Sequence, residues 1–309
     1  MTRLDYLNKN YPVRKTESEK SRFRAYIIDD LKKRGIGARV ETSKDGKNNN
    51  VVIGDPTSAK TVFTAHYDTP SRSIFPNIMI PKNRPIFYAY QFVPIIFLLI
   101  VSFAFAHLIG NVIFKDDGVY YISFMVAYYG LFFGIMRGFK NKYNYNDNTS
   151  GVATLLSILD ELSGDELNDI SFILFDNEEK GKKGSKAYSK DNCDKMKDRF
   201  LVNFDCVANG KNIIFIAEKG AVDSDKYKCL SSCFKSDGEY NVEFLTHQQA
   251  QSNSDHKNFP MGVACLACQK SKHGLLYTPN IHTHKDTVAD NANIDYLAKN
   301  AVSFVRKMY

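Results

Sequence analysis

The chain has 309 residues, of which 44% are hydrophobic and 24% are charged, and it carries a formal net charge of +7. This balance is ordinary for a folded protein and excludes disordered, collagen-like and disulfide-scaffold chains, although it does not exclude a membrane protein. The length allows one large α/β domain or two small domains.

The positive charge is concentrated in the first fifty residues, which contain thirteen Lys and Arg against seven Asp and Glu. Residues 18–34 have apolar side chains on one face and predict an amphipathic helix whose cations face solvent. No motif that combines aromatic and basic residues accompanies this charge, so we expect no nucleic-acid partner. The anionic surface of a lipid bilayer is the expected partner of the surplus charge.

Short β-rich runs alternate with helical patterns along the chain. The predicted strands cover residues 51–54, 61–66, 170–176, 200–205, 213–217, 242–246 and 263–268. Helical periodicity is clear after Ser150, where Val and Leu recur every three or four residues, and a final helix is predicted over residues 294–308. This alternation predicts an α/β fold with a largely parallel central sheet that is buried on both faces.

Six cysteines are scattered along the chain without the spacing of a small disulfide-bonded domain. Cys265 and Cys268 have the spacing of a redox or zinc pair, but they lie in the apolar run of a predicted strand. We therefore interpret them as core residues. Free thiols, together with an N-terminus that lacks the apolar stretch of a signal peptide, are typical of a reducing compartment such as the cytoplasm.

Two apolar runs interrupt the α/β pattern, since residues 85–114 and 118–136 contain no Lys, Arg, Asp or Glu. A membrane-spanning helix needs about 20 apolar residues, which the first run exceeds and the second, diluted by tyrosines, barely reaches. The residues between the runs predict a tight turn. The sequence thus predicts a single domain formed by residues 1–80 and 144–309, with an inserted two-helix hydrophobic, transmembrane hairpin over residues 81–143.

The charges that flank the hairpin predict its orientation. One basic residue, Lys115, lies at the turn, whereas five lie beside the two ends, namely Lys82, Arg84, Arg137, Lys140 and Lys142. The positive-inside rule therefore places both ends, and the rest of the protein with them, on the cytoplasmic side of the membrane. The alternative is a water-soluble hairpin that covers the active site or packs on a second subunit, which would make the protein a homo-oligomer.

Polar clusters follow the apolar runs at the positions where α/β folds place their ligand sites. The clusters are His66-Tyr-Asp68, Asn146 to Gly151, Glu178-Glu179, Asn203-Phe-Asp205, Ser254-Asp-His256 and His282 to Thr287. Zinc takes histidine nitrogen and carboxylate oxygen, and two zinc ions need a bridging group, usually a carboxylate. An adjacent pair of glutamates can divide metal binding and proton transfer. His66 and Asp68 project to the same side of a strand, so the carboxylate can orient the imidazole.

In this order the clusters resemble the motifs of the M28 family of zinc peptidases, the co-catalytic di-zinc aminopeptidases. The resemblance covers about residues 60–70 and 145–290. It implies a zinc-aminopeptidase-like fold, with a mixed, largely parallel sheet flanked by helices, and two Zn²⁺ ions per chain. It also implies that Asp147 bridges both ions, that His66 and Asp205 complete one site, and that Glu179 and His282 complete the other.

The resemblance implies a membrane-associated metallopeptidase that hydrolyses peptide bonds, acting as an aminopeptidase on short peptides. Glu178 would be the general base, which takes a proton from the zinc-bound water and passes it to the leaving amine. Asp68 would hold His66. The alternatives are a carboxypeptidase, a relative that resembles glutaminyl cyclases, or a non-catalytic membrane scaffold. Loss of Glu178 or of a ligand would mark the scaffold, and the sequence retains all of them.

Three further features of the sequence bear on this assignment. His256 and His284 lie in motif segments, but the resemblance makes neither a ligand, so we expect structural roles for both. Asp286 and Thr287 are expected to orient the loop of His282. Soluble members of the family join the first two motifs by a short connection, whereas 81 positions separate His66 from Asp147 here. We hypothesise that the hairpin in this gap anchors the peptidase near substrates at the inner membrane face.

Overall fold

The structure, a computed structural model, describes residues 1–135 and 138–309 with their side chains. The strands are β1 (Ala38–Thr42), β2 (Asn49–Ile53), β3 (Thr61–His66), β4 (Ser71–Arg72), β5 (Phe139–Lys140), β6 (Ile170–Phe175), β7 (Phe200–Phe204), β8 (Asn212–Ala217), β9 (Asn241–Thr246), β10 (Gly262–Lys270) and β11 (Leu276–Tyr277). The α-helices are α1 (Arg3–Asn10), α2 (Glu17–Lys33), α3 (Arg84–Ala106), α4 (Asp117–Arg137), α5 (Gly151–Glu161), α6 (Lys183–Asp191), α7 (Cys193–Met196), α8 (Asp225–Cys233) and α9 (Asn291–Met308).

One nine-stranded sheet organises the chain outside the hairpin, in the order β1-β2-β6-β3-β7-β10-β8-β9 with β11 beside β10. The four central strands, β6, β3, β7 and β10, are parallel to one another. β2 and β8 flank them in the antiparallel direction. This mixed sheet, parallel at its centre and flanked by helices, confirms the predicted fold class.

The central strands are mostly apolar because helices cover both faces of the sheet. On one face, α2, α5 and α9 contribute apolar side chains to a large core that includes Phe63, Phe172 and Val202. On the other face a smaller cluster joins α6 and α7 to the sheet through Tyr188 and Met196. All residues of β3, β6 and β7 are buried, so these strands hold the loops that follow their carboxyl ends in fixed positions.

The cysteine pair lies where the strand pattern predicted. Cys265 and Cys268 are buried in β10, and both are free thiols. Burial raises the pKa of each thiol well above its usual range, so both groups are protonated and chemically quiet. This environment supports their interpretation as core residues.

The inserted hairpin consists of two long antiparallel helices. α3 continues as wider π-helical turns over His107–Phe114, the backbone reverses at Lys115 with φ of 54°, and the side chain of Asp116 accepts a hydrogen bond from the N–H of Val119 as α4 begins. At Gly110 the helices touch so closely that a Cβ would lie 2.4 Å from Cα of Tyr120. The π-helical turns were not predicted.

Most apolar side chains of the hairpin face outward. The buried positions of α3 are Leu98, Ser102 and Ala106. Arg84–Phe114, with 31 residues, and Asp117–Ile135, with 19, are long and apolar enough to cross a membrane by length and composition. The side chain of Arg137, one of the basic residues that predict the orientation, lies outside the described residues.

Candidate metal centre

Three neighbouring strands bring candidate residues together at one edge of the sheet. His66 is the last residue of β3, Glu178 and Glu179 follow the end of β6 after two residues, and Asp205 directly follows β7. Because β6, β3 and β7 are parallel neighbours, their carboxyl ends lie side by side. This is the edge at which open α/β sheets bind their ligands.

Asp147, which precedes α5, lies between the two candidate histidines. Its Oδ1 is 3.3 Å from Nε2 of His66, and its Oδ2 is 3.0 Å from Nε2 of His282. Each oxygen of one carboxylate therefore faces a different imidazole, which suits a carboxylate shared by two cations. Burial alone would raise the pKa of Asp147, but hydrogen bonds from His282 and His66 outweigh it and hold the pKa well below its usual range.

Asp205 and Glu179 add one carboxylate on each side of this centre. Oδ1 of Asp205 is 3.6 Å from Nε2 of His66, and Oε2 of Glu179 is 3.2 Å from Nε2 of His282. The candidate ligand atoms of His66, Asp147 and Asp205 lie within 4.8 Å of one another, and so do those of Asp147, Glu179 and His282. The five predicted ligands thus form two clusters that share Asp147.

The charges and unsatisfied oxygens of these clusters fit divalent cations. Among the described residues, the buried Oδ1 of Asp205 and Oε1 of Glu179 have no hydrogen-bond partner. Burial alone would lower the pKa of His66, but the carboxylates of Asp147, Asp205 and Asp68 outweigh it and raise the pKa. The site therefore attracts positive charge beyond what its side chains supply. Imidazole nitrogen and carboxylate oxygen are ligands that suit zinc.

Asp68 lies beside His66 and has a second set of partners. Nδ1 of His66 lies 3.3 Å from the backbone carbonyl oxygen of Asp68 and 3.5 Å from its carboxylate. The same carboxylate accepts hydrogen bonds from the backbone N–H groups of Glu178, at 3.0 Å, and Glu179, at 3.2 Å. Asp68 therefore ties the end of β3 to the glutamate loop after β6, which sequence spacing alone does not predict.

Glu178 lies at the wall of the same cleft, close to His66 and Glu179. Burial raises the pKa of its carboxyl group well above the usual range. The positive charge of His66 opposes this rise, whereas the negative charges of Asp255 and Glu179 add to it. A carboxylate in such surroundings has a high affinity for a proton, which is the property required of a general base.

The carboxylate of Asp286 supports Asp147. Its two oxygens accept hydrogen bonds from the backbone N–H groups of Asn146 and Asp147, both at 3.0 Å. Asp286 belongs to the loop of His282, which the sequence predicts it to orient. Its contact with the Asp147 segment adds a link between two segments that carry candidate ligands.

Arg14 is a charged residue beside the site whose role could not be predicted from the sequence. Its guanidinium group is completely buried and donates hydrogen bonds to the carbonyl oxygen of Tyr67 and, at 3.0 Å, to the hydroxyl of Thr149. It thereby joins the segments that carry His66 and Asp147. No local motif marks this role, because its partners are 53 and 135 residues away along the chain.

The other two histidines of the motif segments lie outside the ligand clusters found among the described residues. His256 is completely buried, with Nε2 3.6 Å from Glu218, and burial lowers its pKa to about 3, so it is neutral. His284 is exposed.

A cleft of about 230 Å³ gives access to the clusters, and all five predicted ligands and Glu178 line it. Asn77 and Met79 form part of its wall, and they belong to the segment that leads into α3. Leu266 and Ile281 add apolar surface. One wall of the cleft thus comes from the connection to the hairpin.

Solved structures with a similar fold include an aminopeptidase, a glutaminyl cyclase and a Zn-dependent exopeptidase. The LapA aminopeptidase of Legionella pneumophila has a TM-score of 0.58 at 14% identity, covering 99% of this chain and 69% of LapA. A glutaminyl cyclase of Porphyromonas gingivalis has a TM-score of 0.59 at 14% identity, covering 100% and 98%. A Zn-dependent exopeptidase of Parabacteroides distasonis has a TM-score of 0.56 at 15% identity, covering 98% and 96%. At these identities the similarity shows the fold.

The family follows from the sequence itself. No curated protein matches the chain. Residues 138–305, more than half of its length, match the peptidase family M28. The match includes Asp147, Glu178, Glu179, Asp205 and His282, and it begins directly after the hairpin. The predicted resemblance is confirmed, and the chain belongs to peptidase family M28.

Proposed function

We propose that the protein is a membrane-associated di-zinc metallopeptidase, an aminopeptidase that acts on short peptides at the cytoplasmic face of a membrane. The observation that carries this proposal is the position of Asp147, whose two oxygens face His66 and His282 in the cleft of a chain from a peptidase family. One ion would be held by His66, Asp147 and Asp205, and the other by Asp147, Glu179 and His282. Bound zinc would polarise a scissile carbonyl group and acidify a water molecule.

The proposed reaction divides the remaining work between two acidic residues. Glu178, whose burial raises its pKa, takes a proton from the attacking water and delivers it to the amine that leaves. Asp68 keeps Glu178 in place, since its carboxylate accepts the hydrogen bond of the Glu178 backbone N–H. Asp68 also lies against Nδ1 of His66 and fixes the direction in which Nε2 points.

The charge of the cleft supports an aminopeptidase over a carboxypeptidase. Among the described residues that line the cleft, Lys182 is the one Lys or Arg, and its ammonium group already donates a hydrogen bond to Asn253. Apart from the proposed zinc ions, the described wall therefore offers a free peptide carboxylate no unpartnered Lys or Arg, whereas a protonated amino terminus needs none.

A peptide panel tests the reaction. We expect the purified protein to release the first residue from peptides with a free amino terminus, to lose this activity with a chelator, and to regain it when zinc is added back, because the proposed reaction depends on the zinc ions that the two clusters would hold. Mass spectrometry of the products is the measurement.

Three outcomes of the same panel contradict the proposal. Cleavage of N-blocked but not free peptides would replace the aminopeptidase by another peptidase. Loss of ammonia from an N-terminal glutamine without cleavage would indicate a glutaminyl cyclase, for which the P. gingivalis structure provides the fold precedent. If the zinc-loaded protein turned over no peptide at all, the result would favour the alternative of a non-catalytic membrane scaffold.

The hairpin supports the membrane part of the proposal. In a helix pair buried inside a soluble protein, most side chains would be covered, but large apolar residues are exposed along both helices, including Phe92, Ile96, Ile100, Ile122 and Phe133. A surface of this extent requires a partner. The lengths of the two helices suit a bilayer, and the basic residues beside their outer ends suit its cytoplasmic face.

Extraction of membranes measures this directly. We expect the full-length protein to stay in the membrane pellet in alkaline carbonate and to require detergent for release, because its apolar helices contact lipid. Protease added outside intact cells should leave the catalytic part uncut. Release by carbonate, with a change from oligomer to monomer on dilution, would instead show that the hairpin packs on a second copy of the chain.

A further inference from the structure

The loop that carries His282 receives its backbone hydrogen bonds from the two segments that connect the hairpin to the sheet. We call residues 73–83, before α3, the first leg, and residues 138–145, after α4, the second leg. β4, just before the first leg, pairs with β5 of the second, so the legs start side by side. The loop from Thr278 to Asp286 then lies against both of them.

The first leg contacts the loop through main-chain groups. The N–H of Ser73 donates to the carbonyl oxygen of His282 itself at 2.7 Å, and the N–H of Asn77 donates to that of Ile281 at 3.1 Å. Met79 exchanges hydrogen bonds with Thr278, whose N–H donates to the Met79 carbonyl oxygen at 3.0 Å and whose hydroxyl accepts from the Met79 N–H at 3.1 Å. The loop is thus attached along the leg like an added strand.

The second leg holds the other side of the loop. Asn141 is completely buried, and its amide group donates to the carbonyl oxygens of Thr283, at 3.1 Å, and Tyr143, at 2.9 Å. The N–H of Tyr145 donates to the carbonyl oxygen of Asp286 at 3.3 Å. The residues directly beside His282 are therefore fixed from both directions.

His282 needs such support because its backbone has a φ of 64°, in the left-handed region that a residue with a Cβ rarely adopts. Such a conformation persists when the surrounding structure imposes it. The hydrogen bond from Ser73 to the His282 carbonyl oxygen and the bond from Asn141 to the next residue impose it here. The imidazole then reaches Asp147 and Glu179.

The first leg is in turn attached to α3. The hydroxyl of Tyr90 donates to the carbonyl oxygen of Pro76 at 2.8 Å, and the ring of Phe75 packs edge-on against Phe97 with 5.3 Å between centroids. The contacts therefore run from the apolar helix through the leg to the metal-ligand loop.

We propose that the legs of the hairpin form a clamp that positions His282 as a ligand, and that Asn141 is a positioning residue of the metal centre. The hairpin would then help to position a metal ligand in addition to anchoring the protein in the membrane. This inference rests on the proposed assignment of His282 as a zinc ligand. It is independent of which peptide the protein cleaves.

Zinc titration of the metal-free, full-length protein in detergent tests the clamp. We expect two binding steps, one of which is lost in His282→Ala. In Asn141→Ala that same step should weaken about tenfold, because residues that orient a ligand typically affect metal affinity by 10- to 100-fold. The other step should keep its affinity.

Asn144→Ala is the matched control. Asn144 lies in the same leg, is equally buried and donates its amide to two carbonyl oxygens, but these belong to Pro12 and Asn141 instead of the loop. Thermal unfolding of the metal-free variants checks that both are folded. An unchanged titration of folded Asn141→Ala, or an equal loss in Asn144→Ala, would overturn the clamp. Two intact steps in His282→Ala would overturn the ligand assignment, and the peptide panel would still test hydrolysis separately.

Discussion

Glu178→Gln is expected to lower kcat for peptide hydrolysis about a thousandfold while the protein still binds two zinc ions, since general acid–base catalysis typically contributes 10²- to 10⁴-fold. Glutamine has nearly the same shape as glutamate but does not accept the proton of the attacking water. The backbone N–H of residue 178 would still donate to Asp68, so the loop should keep its position. Steady-state kinetics together with metal analysis of the same preparation is the measurement.

The neighbouring residue provides the control for this experiment. Glu179→Gln alters a carboxylate that lies 3.2 Å from His282, so it should weaken zinc binding, and added zinc should restore part of its activity. Added zinc should not restore Glu178→Gln, because that variant lacks a proton acceptor and not a ligand. Full activity of Glu178→Gln, or its rescue by zinc, would contradict the division of roles between the two glutamates.

Asp147→Ala is expected to weaken both zinc-binding steps by more than a hundredfold, beyond the range typical of residues that only orient a ligand. The reason is that Oδ1 and Oδ2 of this one side chain face His66 and His282 respectively. Calorimetric titration of the metal-free protein would give the two affinities. Hydrolysis should be lost at zinc concentrations that saturate the natural protein.

Asp205→Ala distinguishes a shared ligand from a ligand of one ion. Asp205 lies 3.6 Å from His66 and belongs to one of the two clusters that contain Asp147, so its loss should affect one step only. If Asp147→Ala also affected one step only, the two-ion centre would have to be replaced by a single-ion site.

The parts of the fold predicted from the sequence are those with a strong periodic signal. β3, β6 and β7 are buried on both faces, so each appears as a mostly apolar run with few polar residues and no charged one. β1 gives no such signal, because it is a half-exposed edge strand that carries Arg39 and Glu41. α6 and α8 are short helices at the surface, rich in lysine and serine, and were missed for the same reason.

The candidate ligands could be predicted because their residue types and order are those of a known family, and their convergence followed from parallel strands. The contacts that hold these ligands in position could not be predicted. Arg14 acts through residues far away in the chain, and the first leg holds the loop of His282 through backbone groups, which every residue type except proline supplies in full. Such contacts leave almost no trace in the side-chain pattern from which sequence predictions are made.

The position of the hairpin within the chain has a consequence for biosynthesis. β3 pairs with β6 and β7 in the finished sheet, yet the ribosome makes both of these partners only after the hairpin has been completed. At about 5–20 residues per second, roughly ten seconds or more separate the synthesis of His66 from that of His282. During part of this interval the nascent chain contains its two most apolar helices, while the central strands β6 and β7 have not yet been made. Under the proposed function, the hairpin would therefore be available for membrane insertion before the residues that complete the candidate metal centre have been made.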